Sequence, residues 1–415
     1  MRNILCAFLL MALFGNFSCA KKEDDKRIKI TYQTMETLPE QRKALEELVA
    51  EFERLHPEIH VEVLTSTTSF QKLSIQIAGG NAPDVFYYVS DRLPALAHKG
   101  IVMDLSPSVD INDLNQYFDK TVDSCKVDGK IYCMPFHFST DVLFYNKDLF
   151  DKDGVECPSD KWTWDDFLAV AQKLTKKENG RVMQYGALQP RPLLLIKSFG
   201  GECFDKEMTR CTLNSPETKK ALEFIIDMDK KYGVAPSAAA IKDMERMDGV
   251  DMFSTGRVAM LLGRTFMLSE FRKLKSFSWD IAPVPSGVRE YSRLAVGGNC
   301  ISTTTKHPKE AMEFVKYYSG KGASDIIARS GNCVPAVKET AYSDKFLYPP
   351  PKNIKYFVDS IEYSETDNPG LDMWEEFYQR IVQDNIDKIL CEVVSVEDGM
   401  KKMEKEGTEM LKNEK

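Results

Sequence analysis

Apolar and polar positions change period along this chain, and the changes mark its elements. Ile28 to Tyr32 is a short apolar-rich run bounded by charge and reads as a buried strand. From Pro39 onward Leu45, Leu48, Val49, Phe52 and Leu55 recur at helical spacing, while Glu46, Glu47, Glu51 and Arg54 fall on the opposite face. His56-Pro57 ends that helix, because the residue before a proline leaves the helical region. His60 to Leu64 alternates as a strand, Phe70 to Ala78 is helical and closes at Gly79-Gly80, and Pro83 to Tyr88 predicts a third strand. Strand, helix, strand, helix, strand is the grammar of a parallel sheet wound with right-handed crossovers, so the fold class expected is α/β. The pattern changes at Asp128-Gly129, a hairpin signal, after which come a strand over Val142 to Tyr145 and a helix over Thr163 to Lys177. A helix over Ser215 to Tyr232 has Pro216 just inside its start and Gly233 after its end. The last third is helical over Pro308 to Tyr318, Ser324 to Arg329 and Leu371 to Ile389, whereas Ala20 to Lys26 and Lys412 to Lys415 read as disordered ends.

The beginning of the chain carries different information. Met1 to Phe14 is an apolar run led by Arg2, and after Phe17-Ser18-Cys19 the chain turns charged at Lys21-Lys22-Glu23-Asp24-Asp25-Lys26-Arg27. This is the pattern of an export signal over residues 1–19 with a polar tether over 20–27. The run falls short of the ~20 residues that a spanning helix needs. A small residue before Cys19 resembles a bacterial lipobox, which implies cleavage before Cys19 and a lipid on its sulfur, facing the periplasm or the outside. Asn16 stands where an aliphatic residue is usual, and cleavage after Ser18-Cys19-Ala20 also fits a small-x-small site.

Charge removes some functions. The net charge of -8 is mixed along the chain, with no basic stripe to track a phosphate backbone, so no nucleic-acid partner is expected. Eight cysteines follow Cys19, natural for an exported chain. Cys125 and Cys133 flank the Asp128-Gly129 turn, and Cys203 and Cys211 bracket a short polar segment; both pairs are expected as disulfides. Cys300 with Cys333 and Cys157 with Cys391 follow only by elimination. The chain has no Cys-x-x-Cys pair, no His-Glu-x-x-His, no Gly-x-Ser-x-Gly elbow, no Gly-x-x-x-x-Gly-Lys loop and no dinucleotide fingerprint. Neither a cofactor nor a metal is therefore expected, and no enzyme activity.

Several segments, taken in order, resemble the family 1 extracellular solute-binding proteins of ABC importers. They are Gly79-Gly80-Asn81-Ala82-Pro83-Asp84-Val85, then Asp128-Gly129-Lys130-Ile131-Tyr132 with Pro135, then Leu143-Phe144-Tyr145-Asn146-Lys147-Asp148-Leu149-Phe150. Trp162-Thr163-Trp164-Asp165-Asp166-Phe167, Gly200-Gly201, Thr212-Leu213-Asn214-Ser215-Pro216-Glu217, Phe253 to Gly263 and Lys306-His307-Pro308-Lys309-Glu310-Ala311 continue the series. The resemblance implies a two-lobed periplasmic-binding-protein fold, each lobe a mostly parallel sheet flanked by helices, with the solute in the cleft between them. Residues 28–135 and about 290–340 would form the first lobe, and 136–289 with about 341–411 the second. It also implies a monomer that captures a carbohydrate or sugar derivative and delivers it to membrane permease subunits. An exported glycan hydrolase, or an adhesin on the same fold, is the competing expectation.

The resemblance places ligand contacts at strand ends. Tyr88, Asp91 and Arg92 follow the third strand where the family binds sugar hydroxyls, although Asp91 could instead cap the helix near Leu93 with Arg92 in solvent. Glu36 follows the first strand, where a family carboxylate contacts ligand; helix-start chemistry before Pro39 explains it equally. Ser139 and Asp141 lie where the family crosses between lobes, and His137 beside them reads as an interior or rim residue. Arg264 and Phe266 occupy the place of a family Gly-x-Trp, so Phe266 could stack on a ring and Arg264 greet an anionic group or form a surface ion pair. Gly298 and Asn299 sit in an expected tight turn that could offer main-chain N–H groups or serve conformation alone. Trp374 is placed as a late stacking residue or as core.

Overall fold

The computed structural model describes residues 26–37, 39–66, 69–237 and 248–414; the expected export signal and Cys19 lie outside these residues. Its strands in chain order are β1 (Ile28–Thr34), β2 (Ile59–Thr65), β3 (Val85–Val89), β4 (Lys126–Val127), β5 (Lys130–Ile131), β6 (Met134–Thr140) and β7 (Val142–Asn146). There follow β8 (Lys176–Glu178), β9 (Arg181–Ala187), β10 (Val258–Gly263), β11 (Trp279–Ala282), β12 (Ser292–Ile301), β13 (Val334–Pro335) and β14 (Ser364–Glu365). Two main sheets result, ordered β13-β6-β12-β3-β1-β2 in the first lobe and β11-β7-β10-β9-β8 in the second.

The expected opening holds. β1 pairs in parallel with β2 and β3, and the helix Pro39–Leu55 lays Leu45, Leu48 and Phe52 against the sheet. The returning strand β12 then enters antiparallel between β3 and β6, which makes the first sheet mixed. Helix starts in the second lobe follow local capping: Thr163 and Asp166 form a reciprocal capping box, and Ser215 accepts from the Thr218 N–H ahead of Pro216. The helix expected to reach Lys177 stops at Leu174, because Lys176–Glu178 turns through Asn179 and Gly180, at φ 49 and 78, into a hairpin with β9.

Three segments connect the lobes. Thr140, Asp141 and Val142 carry the chain from β6 to β7 with hardly a break; a second segment joins β11 to β12; the third passes through β14, which pairs with the start of β12. A continuous apolar core runs beneath the first crossing from Phe138 through Val142 to Phe144. The end of the chain departs from expectation. Val396–Glu414 is a helix that buries Met400, Met403, Met410 and Leu411, so the order extends over residues expected to be disordered. Methionines carry most of that stripe.

The cysteines also depart from expectation, since all eight described thiols are free. In the segment after Gly201 the bridge pairs Cys211 with Phe204, which puts Cys203 one position out of register. At the hairpin the Tyr132 N–H donates to the Cys125 carbonyl, so Cys133 is likewise displaced by one residue. Cys300 is not beside Cys333: it lies in the core with Cys125 and Cys133, whereas Cys333 packs against a different apolar cluster.

Candidate functional site

The carboxyl ends of the first-lobe strands meet the second lobe in a cleft of two joined chambers. The inner chamber, about 350 Å³, is lined from the first lobe by Glu36, Tyr87, His137, Ser139, Gly297 and Asn332 and from the second by Arg264, Thr265 and Phe266. The outer chamber, about 260 Å³, is lined by Phe70, Asp91, Arg92, Arg191, Arg293, Asp367, Trp374, Tyr378 and Gln379. Val89 and Arg264 border both, so the chambers are continuous.

Period-two geometry explains part of this lining. On β3 the alternate residues Tyr87 and Val89 face the cleft, while Tyr88 turns to the other side and packs edge-on against Phe70 and Phe86. The cleft tyrosine is therefore Tyr87, one residue before the expected Tyr88. Gly298 and Asn299 also fall outside the lining. They lie inside β12, and there is no turn. The side of Gly298 where a Cβ would stand is closed by Cys133 Sγ at 2.7 Å, and fully buried Asn299 accepts from the Tyr32 hydroxyl at 3.1 Å. Gly297 instead makes room for the imidazole of His137, which stacks on Tyr87 at 5.8 Å; burial pushes that imidazole down to about 4.

Charge at the cleft floor is matched group by group. Asp367, 5% exposed, takes Arg191 at 2.9 Å and Arg293 at 2.7 Å. Arg293 also pairs with Asp91, and Asp141 lies 3.2 Å from Arg264 and 3.9 Å from Arg191. Burial works against ionisation of Asp367, but the two guanidiniums and the Tyr291 hydroxyl outweigh it and hold the carboxyl below its usual range. Asp91 goes the other way: burial raises it, with Arg293 opposing and Asp367 adding to the rise. This lattice is built from both ends of the chain, since Asp91 follows β3, Asp141 is in the first crossing, Arg293 begins β12 and Asp367 follows β14.

Expected site residues thus separate into kinds. Glu36, Ser139, Arg264 and Phe266 line the inner chamber, and Asp91, Arg92 and Trp374 the outer one. Asp141 supports from behind, 3% exposed, and donates nothing to the lining. Arg264 is paired and faces the cleft, and its guanidinium sits 5.9 Å from the Phe266 ring. Trp374 is 4% exposed and reaches the cleft largely through Tyr378, on which it stacks at 6.1 Å. Tyr378 and Gln379 belong to a π-helical stretch, Phe377–Gln383, a geometry that shifts side chains off the regular α-helical face.

Sequence reasoning missed Tyr87, Arg191, Arg293, Asn332, Asp367 and Tyr378. Arg191 had a usable signal, because Gln189-Pro190-Arg191-Pro192 follows strand β9 and opens a helix at its carboxyl end. Asp367 and Asn332 had none. Asn332 is 4% exposed, and both polar atoms of its side chain lack a hydrogen-bond partner among the described residues; so does Asp91 Oδ1. Buried amides and carboxylates without partners cost about 1–3 kcal/mol each.

Comparisons with known proteins agree with this geometry. Residues 36–325 match the family model described as bacterial extracellular solute-binding protein. A maltodextrin-binding protein of Bacillus subtilis is 27% identical over 332 residues, covering 75% of this chain and 74% of that protein. An arabinooligosaccharide-binding protein of the same organism is 26% identical over 334 residues, covering 76% of this chain and 75% of its own length. Among solved structures, an ABC substrate-binding protein of Listeria monocytogenes in complex with cycloalternan superposes with a TM-score of 0.84 at 30% identity, over 93% of this chain and 99% of that one. A strand-end cleft between two α/β lobes and a family match across most of the chain lead to one assignment: the chain belongs to the bacterial extracellular solute-binding proteins.

Proposed function

We propose that this protein captures a neutral carbohydrate of at least two sugar units in its two-chambered cleft and presents it to the permease of an ABC importer. The observation that carries this reading is the matching of charge in the cleft. Each lining arginine, Arg92, Arg191, Arg264 and Arg293, has a carboxylate partner, so an anionic group would have to displace an existing pair. Hydroxyls need no such exchange: they both donate and accept, and Asp91 Oδ1 and the Asn332 amide supply complementary atoms. Phe266, Tyr87, Phe70 and Tyr378 add apolar faces on which pyranose C–H groups can rest. The carbohydrates named for the relatives, maltodextrin, arabinooligosaccharide and cycloalternan, are consistent with this class.

Capture works by closure. A solute touching both lobes favours the closed arrangement by its differential contacts, and the membrane complex reads that closed surface. In this reading Glu36, Asp91, Arg92, Ser139, Arg264 and Phe266 contact solute, Asp141 and Asp367 orient the arginines, Cys19 carries a lipid anchor and the protein acts as a monomer. Calorimetric titration with neutral oligosaccharides of glucose, mannose and arabinose, against sugar phosphates and uronic acids, tests it. Saturable heats from one neutral series, with the sugar unchanged afterwards, are expected. Binding confined to the anionic set would overturn the charge argument, and shortened glycans in the cell would revive the hydrolase.

A further inference from the structure

The three thiols in the first-lobe core have a geometry of their own. β6 and β12 run antiparallel with Gly298 opposite Pro135 and Asn299 opposite Met134, the last pair of the ladder; Cys133 immediately precedes β6 and Cys300 immediately follows Asn299, so the two cysteines flank the end of that pairing. Opposed residues in an antiparallel pair have Cα atoms about 4.5–5.5 Å apart, inside the range a disulfide spans, and the Cys133 sulfur reaches back over Gly298, two residues before Cys300. Cys125, just before β4, completes the group, and the Cys133 sulfur is in hydrogen-bond contact with both others. All three are nearly or fully buried, at 1%, 2% and 0% exposure for Cys125, Cys133 and Cys300. The absent side chain of Gly298 clears the space beside the Cys133 sulfur. Among the described residues no group of three His, Cys, Asp or Glu is arranged to hold a metal, so metal ligation does not account for the cluster.

We infer that Cys133 forms a disulfide with Cys300 at the end of the β6–β12 ladder in the exported protein, and that Cys125 is the exchange thiol held against that bond. A family of extracellular proteins works where thiols within reach oxidise. The oxidant is a small-molecule disulfide admitted when the first-lobe core opens locally, since the three thiols are buried in the closed fold. The Cys133 thiolate attacks one of its sulfurs and expels a thiolate; the Cys300 thiolate then attacks the Cys133 sulfur and expels the second. Two protein thiols lose two electrons and two protons, and one oxidant disulfide becomes two thiols. The hydrogen bonds that its two neighbours direct to Cys133 lower its proton affinity, whereas burial raises Cys125 and Cys300, which makes Cys133 the first nucleophile. Attack of Cys125 on the Cys133 sulfur would move the bond to the hairpin and free Cys300 without net oxidation. The staple braces the cleft, since β6 carries His137 and Ser139 and β12 carries Gly297.

Peptide mapping of the full mature chain, purified from the oxidising compartment and trapped with an alkylating agent under denaturing conditions, tests the inference. The expected result is a crosslinked pair containing Cys133 and Cys300, an alkylated Cys125 and two fewer alkylated thiols than in the same protein reduced with dithiothreitol. Cys300→Ala should move the crosslink to Cys125 with Cys133, and Cys125→Ala should leave the original pair in place. Three alkylated thiols in the wild type, Cys125 joined to Cys133 as its sole crosslink, or Cys300 joined to Cys333, would each overturn it. The wild-type map alone decides should a variant fail to fold.

Discussion

Arg92 of the first lobe and Glu375 of the second meet at 2.8 Å across the outer chamber, 283 residues apart in the chain. The Arg92 guanidinium also lies 4.6 Å from the Phe70 ring, so one side chain joins the cleft wall to the opposite lobe. Both partners are partly exposed, at 32% and 50%, which limits the pair to ~0.2–1 kcal/mol. Removal of either should weaken solute affinity up to about fivefold, and the double variant should lose less than the sum. A double-mutant cycle on the solute Kd measures this; additive losses would mean that the pair does not contribute to closure.

Phe266 and Asp367 should respond in opposite ways. Phe266 is 49% exposed at the cleft, so Phe266→Ala should leave the unliganded protein within about 0.5 kcal/mol of the parent while reducing solute affinity. Asp367→Ala leaves Arg191 without its 2.9 Å partner and Arg293 dependent on Asp91 alone, and should destabilise by about 3–5 kcal/mol. Urea unfolding of both variants, with unchanged m-values, separates the two effects.

Glu36 introduces a pH dependence. Burial raises its carboxyl from an ordinary value of 4.5 to about 7, against hydrogen bonds from Tyr318 and Thr34. A folded-state pKa above the unfolded one means that the native protein holds the proton more tightly, so stability falls as pH rises from about 4.5 to 7 and stays lower above. Glu36→Gln should flatten that window and stabilise the protein by about 1–3 kcal/mol at pH 8. Parallel stability curves for parent and variant would contradict the assignment.

His98 acts in the same direction, at higher pH. Its ring nitrogens lie 2.7 Å from Asp372 and 3.1 Å from Asp128, and since carboxylates only accept, both nitrogens donate and the ring is the cation. The hydrogen bond to Asp372, followed by that to Asp128, raises its pKa. Its contribution is therefore complete below its unfolded value, near 6.5, and is lost as pH rises through the higher folded value. Asp372 leads into the second-lobe core residues Met373 and Trp374, while Asp128 is in the first-lobe hairpin, so the cation ties the lobes together. At 40% side-chain exposure the effect is a few tenths of a kcal/mol. Spin-label distances between lobes should lengthen slightly from pH 6 to 8 in the parent and not in His98→Gln.

Much of the fold was readable in local pattern. The strand and helix alternation over residues 28–89, the Asp128-Gly129 hairpin and the capped starts at Thr163 and Ser215 are short-range effects of periodicity and hydrogen bonding. Of the cleft lining, Glu36 and Asp91-Arg92 were readable where a strand end announces them, and Ser139, Arg264, Phe266 and Trp374 through the family pattern. A register error of one residue exchanged Tyr88 for Tyr87, because successive strand side chains face opposite ways.

What the sequence determined by itself was which segments bury an apolar face and where the chain must turn, since both depend on neighbours within a few residues. Only the tertiary structure decided which charges meet. Arg293 finds Asp91 at a separation of 202 residues, and Arg191 finds Asp367 at 176. Ion pairing in a low-dielectric cleft depends on distance in space, and three crossings between two lobes bring together groups whose separation along the chain carries no trace of it.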